Sequence, residues 1–400
     1  DRAMETVTPE EYAVLVDRWF ATPMAEAAPE PWDPLLVGAV VLGVLVVVSL
    51  LLWLLARLSR SRLSSGPTIL QGKAAKLGLM AVFLTIVIVG AWFGLARLER
   101  MAREDLAESL RIVVDSTRES LDIWFSAERA QVELLVAEPQ FMQLTERLME
   151  VPRDPAALKA SEPLAELRRH LETDAVVGAS KGFAILAPDL IKVASRGDFG
   201  IGERAAIAAE RPELLRQALA GSTVFIPPLR PGEGANIFTA TPVRDGEGEV
   251  IAVFVLLRDP SADFSRLCQN GRIGHTGETY AIDPAGRMVS ASRFEDDLRA
   301  MGLLGADERS LLNLRVADPG GELQTGFRPP VPREELPLTR SASAVVDRRS
   351  GHDVTGYRDY RGERVLGAWI WNPGLGVGLI TEVDEEQALA TYRASRTIAL

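Results

Sequence analysis

One cysteine, Cys268, serves a chain of 400 residues, so no disulfide can close within it. Histidine is nearly as scarce: His170, His275 and His352 stand far apart, without the short spacings of a metal site, and neither metal nor other cofactor is expected. An excess of basic charge is missing too. Lys and Arg number 44 against 55 Asp and Glu, a net charge of −11, and no basic stripe follows any segment, which argues against a nucleic-acid partner. Catalytic signatures are equally absent: there is no P-loop, no protein-kinase catalytic loop and no phosphoacceptor His box. The glycines of 374–378 superficially suggest a nucleotide loop, but they lead into a strand pattern instead of opening a helix. His275, beside Thr276 and Glu278, reads as a hairpin residue making a local hydrogen bond. The chain itself is therefore expected not to be an enzyme; a hydrolytic reading would rest on His275 or Asp283.

What the sequence has in abundance is apolar residues near its start. From Leu35 to Ala56 run 22 residues without a charge, and from Leu77 to Ala96 a further 20. At about 1.5 Å rise per residue, each run is long enough for a hydrocarbon core of roughly 30 Å, and the expectation is two transmembrane helices. Between them, 57–76 carries Arg57, Arg60, Arg62, Lys73 and Lys76 and no acid, the composition of a cytoplasmic loop, so both outer flanks are expected outside. The localisation read from this pattern is a multi-pass inner membrane protein with its large domain periplasmic or extracellular.

Ahead of the first run, Thr8-Pro9-Glu10-Glu11 has the order of a helix start: N-cap, Pro at the first helical position, Glu closing a capping box. Residues 1–22 resemble the closing helices of periplasmic solute-binding modules, on Asp1-Arg2-Ala3-Met4, Thr-Pro-Glu-Glu-Tyr and Asp17-Arg18-Trp19. The resemblance implies the C-terminal remnant of such a module, joined by the Pro-rich linker 23–34 to the first span. A start at Asp1, and an apolar stretch opening at Leu400, read as the ends of a fragment.

Beyond the second run, Leu106, Leu110, Val113, Thr117, Leu121, Trp124 and Leu135 recur at helical spacing without Gly or Pro until Pro139, predicting a long stalk helix over 97–139. After helical segments in 141–172, short β-type runs follow at 182–187, 190–195, 222–226, 236–243 and 249–258, with helices near 202–209 and 212–220. A second set, 278–283, 287–291, 354–360, 363–371 and 376–383, closes before a terminal helix from Glu385. Two α+β modules are expected, 140–267 and 268–384, then a helix over 385–400 leading to a third span. Residues 244–249 and 358–363 both read R-D-x-x-G-E, each entering an apolar strand, which suggests a tandem repeat in equivalent places.

This arrangement resembles the double Cache sensor domain of bacterial receptors over 98–400. The likeness is carried by Ile273-Gly274-His275-Thr276-Gly277-Glu278-Thr279-Tyr280-Ala281-Ile282-Asp283 with Gly286, by Gly356-Tyr357-Arg358-Asp359-Tyr360-Arg361-Gly362, and by Gly376-Val377-Gly378-Leu379-Ile380 before Glu382. It implies two PAS-like modules, the membrane-distal one holding a small ligand, and a homodimer formed through the stalk. Convergence of a few polar groups on an apolar cavity selects Arg196, Asp198, Phe225, Phe238, Thr239 and Asp259 as ligand-binding candidates. Arg196 suits a carboxylate and Asp198 an ammonium. Family members that bind amino acids tend to carry Arg-x-Trp, whereas Arg196 here is followed by Gly197 and Asp198, so an α-amino-acid ligand does not carry over. The function implied is the sensing portion of a transmembrane signal-transduction receptor, with a sensor histidine kinase output ahead of a cyclase, Ser/Thr kinase or chemotaxis output. The competing reading is a membrane-tethered solute-binding scaffold without signalling.

Overall fold

The computed structural model describes residues 69–230 and 234–390. The chain divides into two compact units, one of residues 1–105 with 389–400 and one of 106–388. The first contributes, among the described residues, the opening of helix α1 (Ile69–Val136), 68 residues long.

That helix corrects the expectation of two transmembrane helices. Among the described residues no helix is long and apolar enough to cross a membrane. The run 77–96 is no element of its own: backbone hydrogen bonding passes through both its ends, and α1 continues over Arg97, Glu99, Arg100 and Arg103. A count of uncharged residues bounds a run of sequence, not the helix that carries it. Residues 69–76, expected in a loop, are already helical. The first run 35–56, the rest of the basic loop, the solute-binding remnant 1–22, the linker 23–34 and the terminal helix beyond 390 lie outside the described residues.

Unit 106–388 begins with the amphipathic part of α1. Leu110, Leu121 and Val132 are fully buried, each eleven residues after the last, while Ile112, Ile123 and Leu134 recur at the same interval on the exposed side. Eleven residues make three turns plus about 20° of rotation, so each set forms a nearly straight line along the helix. Pro139 does not merely stop α1. It occupies the first turn of helix α2 (Pro139–Met149), where its missing N–H costs nothing. Helices α3 (Pro155–Lys159), α4 (Glu162–Glu172) and α5 (Ala175–Gly178) follow; Asp154 and Asp174 cap α3 and α5 through their carboxylates.

The first sheet is antiparallel, in the order β2-β1-β5-β4-β3, from β1 (Gly182–Leu186), β2 (Lys192–Ser195), β3 (Val224–Leu229), β4 (Asn236–Arg244) and β5 (Val250–Arg258). Its strands are apolar on both faces because both are covered. One face, with Phe183, Ile185, Phe254 and Leu256, packs on α1, α2 and α4 through Val132, Leu135, Phe141 and Leu167. The other, with Leu186, Ile226, Phe238 and Val255, lies under the short helices α6 (Ile207–Glu210) and α7 (Pro212–Leu219).

Helix α8 (Asp263–Asn270) leads to a second antiparallel sheet of order β6-β9-β8-β7, from β6 (Glu278–Ile282), β7 (Gly351–Arg358), β8 (Arg364–Asn372) and β9 (Val377–Asp384). Helix α9 (Glu295–Ala300), a 3-10 turn (Arg333–Glu335) and helix α10 (Arg340–Val346) cover one face; α11 (Glu385–Ala388) ends the unit. The segment 287–291, expected as a strand, makes only isolated bridges, from Met288 to Ile282 and from Arg287 to Arg315. It still stands beside β6 as β2 stands beside β1, so the two sheets share one strand order.

The R-D-x-x-G-E echo forms one turn twice. Asp245 Oδ1 accepts from the amides of Glu247 and Glu249, and Asp359 Oδ1 from those of Arg361 and Glu363, at 2.8–3.0 Å. Gly248 and Gly362 take the left-handed conformation that closes each turn, with φ of 90° and 86°. The places are not equivalent, however: 244–249 joins β4 to β5, whereas 358–363 joins β7 to β8. The same turn recurs after β6, where Asp283 Oδ1 accepts from Ala285 and Arg287 and Gly286 has φ 75°. The echo is therefore a portable hairpin, and the tandem repeat rests on strand order.

Candidate functional site

The six sequence candidates do not converge. Arg196, at the end of β2, turns its guanidinium back onto the corner after α5, donating to the carbonyls of Val177 and Ser180, the latter at 3.2 Å. Asp198 is exposed and paired with Arg168 at 2.8 Å; Arg168 also donates to the Ser195 and Gly197 carbonyls and so fastens this loop to α4. Asp259 reaches the same α5 corner from β5, pairing with Lys181 at 3.3 Å. The Ser261 amide and Lys181 hold its carboxyl below the usual range, against an opposing effect of partial burial. Phe225 and Thr239 are direct cross-strand partners facing α1. Phe238, one residue from Thr239, points to the opposite face and packs under α7. Strands that are apolar throughout hide which face each residue takes, and only the fold separates the six.

Two other groupings stand out. The first is where α1 meets the first sheet. Phe225 packs edge-on against Trp124 and Phe125, at 6.2 and 5.3 Å between ring centres, and nearly parallel to Phe264 of α8. One turn further, the buried Glu128 accepts from the Thr239 hydroxyl at 2.7 Å, and Arg258 Nε approaches its other oxygen at 2.8 Å, as an ion pair rather than an aligned hydrogen bond. On the preceding turn Asp122 Oδ1 accepts from Asn372 of β8 at 2.7 Å. Residues 122–128 of α1 thus touch β3, β4, β5, α8 and the second sheet.

The second grouping lies in the second module, on the sheet face beneath α10. Glu278 and Glu382 are direct cross-strand partners of β6 and β9, and both are buried. Glu382 accepts from Tyr357 at 2.7 Å, Ser341 at 2.8 Å and Tyr280 at 2.9 Å. Glu278 accepts from Ser292 at 2.7 Å, from the Arg293 amide at 2.8 Å and from the Tyr360 hydroxyl. Gly367 leaves room for the Tyr357 hydroxyl, which would lie 2.2 Å from a Cβ at that position. Burial raises the carboxyl of Glu278, and that of Glu382 up to about 7, Asp359 adding to the latter. All three tyrosines stand well above their ordinary value, burial first and neighbouring carboxylates after it. Beside them, Arg361 binds Asp359 at 2.6 Å and Asp384 at 2.8 Å and lies 4.1 Å over the Phe294 ring.

Sequence reasoning passed over this cluster, although a signal existed. Glu278, Tyr280 and Ile282 share a face in a five-residue strand that is buried throughout, and an acid on such a face demands hydrogen-bond partners. His275, weighed as a base, is exposed, and its amide donates to Gln387 of α11 at 3.1 Å. Asp283, the other hydrolytic candidate, is committed to its turn and to Arg287. The 374–378 glycines fall in the β8–β9 turn and the start of β9.

No protein-family model matches this sequence, and no curated protein does. Solved structures do resemble the fold. The periplasmic domain of RsbU from Chlamydia trachomatis is 12% identical, with TM-score 0.46, over 74% of this chain and 98% of that one. The sensor domain of the V. cholerae histidine kinase DctB is 13% identical, with TM-score 0.41, over 72% and 98%. The ligand-binding domain of the Pseudomonas aeruginosa amino acid chemoreceptor PctB, solved with L-Arg, is 15% identical, with TM-score 0.40, over 73% and 93%.

Proposed function

We propose that this chain is the ligand-sensing portion of a signal-transduction receptor, itself no enzyme, with a histidine kinase as the output it governs and the two modules outside the cytoplasm. The observation that carries the reading is the contact of α1 with both modules. Asp122 is bonded to the second sheet, Glu128 to the first, and Trp124 with Phe125 packs between Phe225 and α8. A change in either sheet alters groups that α1 holds, which is the coupling a receptor requires. A passive solute-binding scaffold has no need of it.

The ligand we assign to the first module is a small molecule, bound on the sheet face bearing Phe238. Among the described residues the helices over that face are the short α6 and α7, of four and eight residues, and they can part without breaking the sheet. A broad panel of small molecules should contain at least one that raises the melting temperature, because a ligand at about 100 times its dissociation constant adds about 2.7 kcal/mol to the folded state. A panel in which nothing moves the transition would remove the reading's main support.

We further place a second copy of the chain against the exposed line of Ile112, Ile123 and Leu134. Burying such a line against its own counterpart removes apolar surface from water at about 25 cal/mol per Å². Sedimentation should then show a dimer for the native chain and a monomer for Ile123→Glu; equal masses for the two would sink the assignment.

A further inference from the structure

Among the described residues Glu382 pairs with no cation of its own. Glu278 of β6 lies directly across from it and Asp359 of the β7–β8 turn acts on its charge. The other charged groups of the surrounding elements are Asp353 from β7, Arg361 from the same turn, Asp384 from β9, Arg340 from α10, Arg333 from the 3-10 turn and, on α9, Glu295, Asp296 and Asp297 with Arg299, which pairs with the first two. Each arginine is already engaged. Arg340 pairs with Asp353 at 2.7 Å, Arg361 with Asp359 and Asp384, and Arg333 donates to the Tyr360 and Arg315 carbonyls. Glu382, about 5 Å from Glu278 between Cα atoms in the antiparallel ladder, is thus closed in with hydroxyl donors and one free counter-ion to draw on, the proton.

We propose that Glu382 is a proton-binding switch through which the second module responds to the acidity of its surroundings. Ionised, it accepts from Tyr280, Tyr357 and Ser341. On taking one proton from solvent it becomes neutral and must donate from one oxygen, so one of those three hydroxyls has to release it. Ser341 has the alternative partner: Thr339 Oγ1 lies 3.2 Å from its Oγ. The protonated carboxyl can then donate to Ser341 while Ser341 donates to Thr339, and both tyrosine bonds survive.

The value of about 7 that burial and Asp359 impose on Glu382 brings the exchange within ordinary excursions of pH. Its strand runs straight into α11, which Arg364–Glu385 at 2.8 Å and the bonds of Gln387 to the amides of His275 and Thr276 tie to the sheet. A change in the hold on β9 therefore reaches the end of the unit. The switch does not depend on small-molecule binding in the first module.

The sign of the effect on folding follows. The folded Glu382 keeps its proton up to about pH 7, whereas the unfolded chain releases it near 4.5, so stability is greatest at the acid end. The folded-to-unfolded ratio falls roughly 300-fold as pH rises across that window and is level above it.

The test titrates the purified chain from about pH 5 to about pH 9, following Trp and Tyr fluorescence, the melting temperature and the infrared band of a protonated carboxyl. Trp369 reports on the cluster through Tyr357, 6.0 Å between ring centres. The native chain should show a step near pH 7 in fluorescence, with the infrared band disappearing through it, and a melting temperature that falls up to about pH 7 and then levels; Glu382→Gln should abolish all three. Ser341→Ala, which removes a donor to the ionised form and the acceptor of the protonated one but little volume, should displace the step from its native pH. The proposal is overturned if the native chain shows no such step, if the step survives Glu382→Gln, or if Ser341→Ala leaves it in place.

Discussion

Glu128→Ala should lower the unfolding free energy by about 3–5 kcal/mol, the usual effect of removing one partner of a buried ion pair. Glu128 and Thr239 are both nearly inaccessible to solvent, at 4% and 1% exposure. Alanine would leave the Arg258 guanidinium without a counter-charge and the Thr239 hydroxyl without an acceptor, and would open a void between α1 and the sheet. Denaturant unfolding measures the effect directly. Glu128→Gln keeps an oxygen for Thr239 and should lose less. A change below about 1 kcal/mol for alanine would place this contact in the range of an exposed surface pair and would weaken the case for α1 as the reporting element.

Arg361→Met should bring a loss of similar size, again about 3–5 kcal/mol. Its two ion pairs are at 2.6 and 2.8 Å and its side chain is 5% exposed. Burial opposes its charge, but Asp359, Tyr360 and Asp384 together hold it protonated above the usual arginine value. Methionine would fill much of the space and leave the two acids facing one another's charge. Lowering the pH should therefore narrow the gap between variant and native chain, because Asp384, already raised by burial, then takes up a proton more readily. The check is unfolding at two pH values: a gap that is constant or widens in acid would show that the loss comes from packing on Phe294 rather than from charge.

The elements of both modules were legible from alternation and turn residues. Strands β1, β4, β5, β6, β8 and β9 begin and end within a residue or two of the sequence expectation, since Gly, Pro and Asp mark their ends. Three things were not legible. Whether an apolar run forms an element of its own depends on what the backbone does at its ends, and so 77–96 was read as a separate span when it is an interior stretch of α1. Facing is lost when a strand is covered on both sides, which separated Phe238 from Phe225 and Thr239. Pairing across a long separation is lost altogether. Glu278 meets Glu382 only because β9 is laid beside β6 after more than a hundred residues, and nothing local to either residue announces the other.

The eleven-residue interval along α1 has a mechanical side. Leu110 lies in the stretch whose Glu108 and Arg111 act on His352 of the second sheet, and Val132 is embedded in the core of the first module. Leu121 sits between them, and all three keep to one narrow strip of the helix surface. A shaft keyed at several points along one line cannot spin freely in either hub. Torque applied to α1 at the first module is therefore delivered, as rotation of the same rod, to the second, with little slip for the intervening turns to absorb.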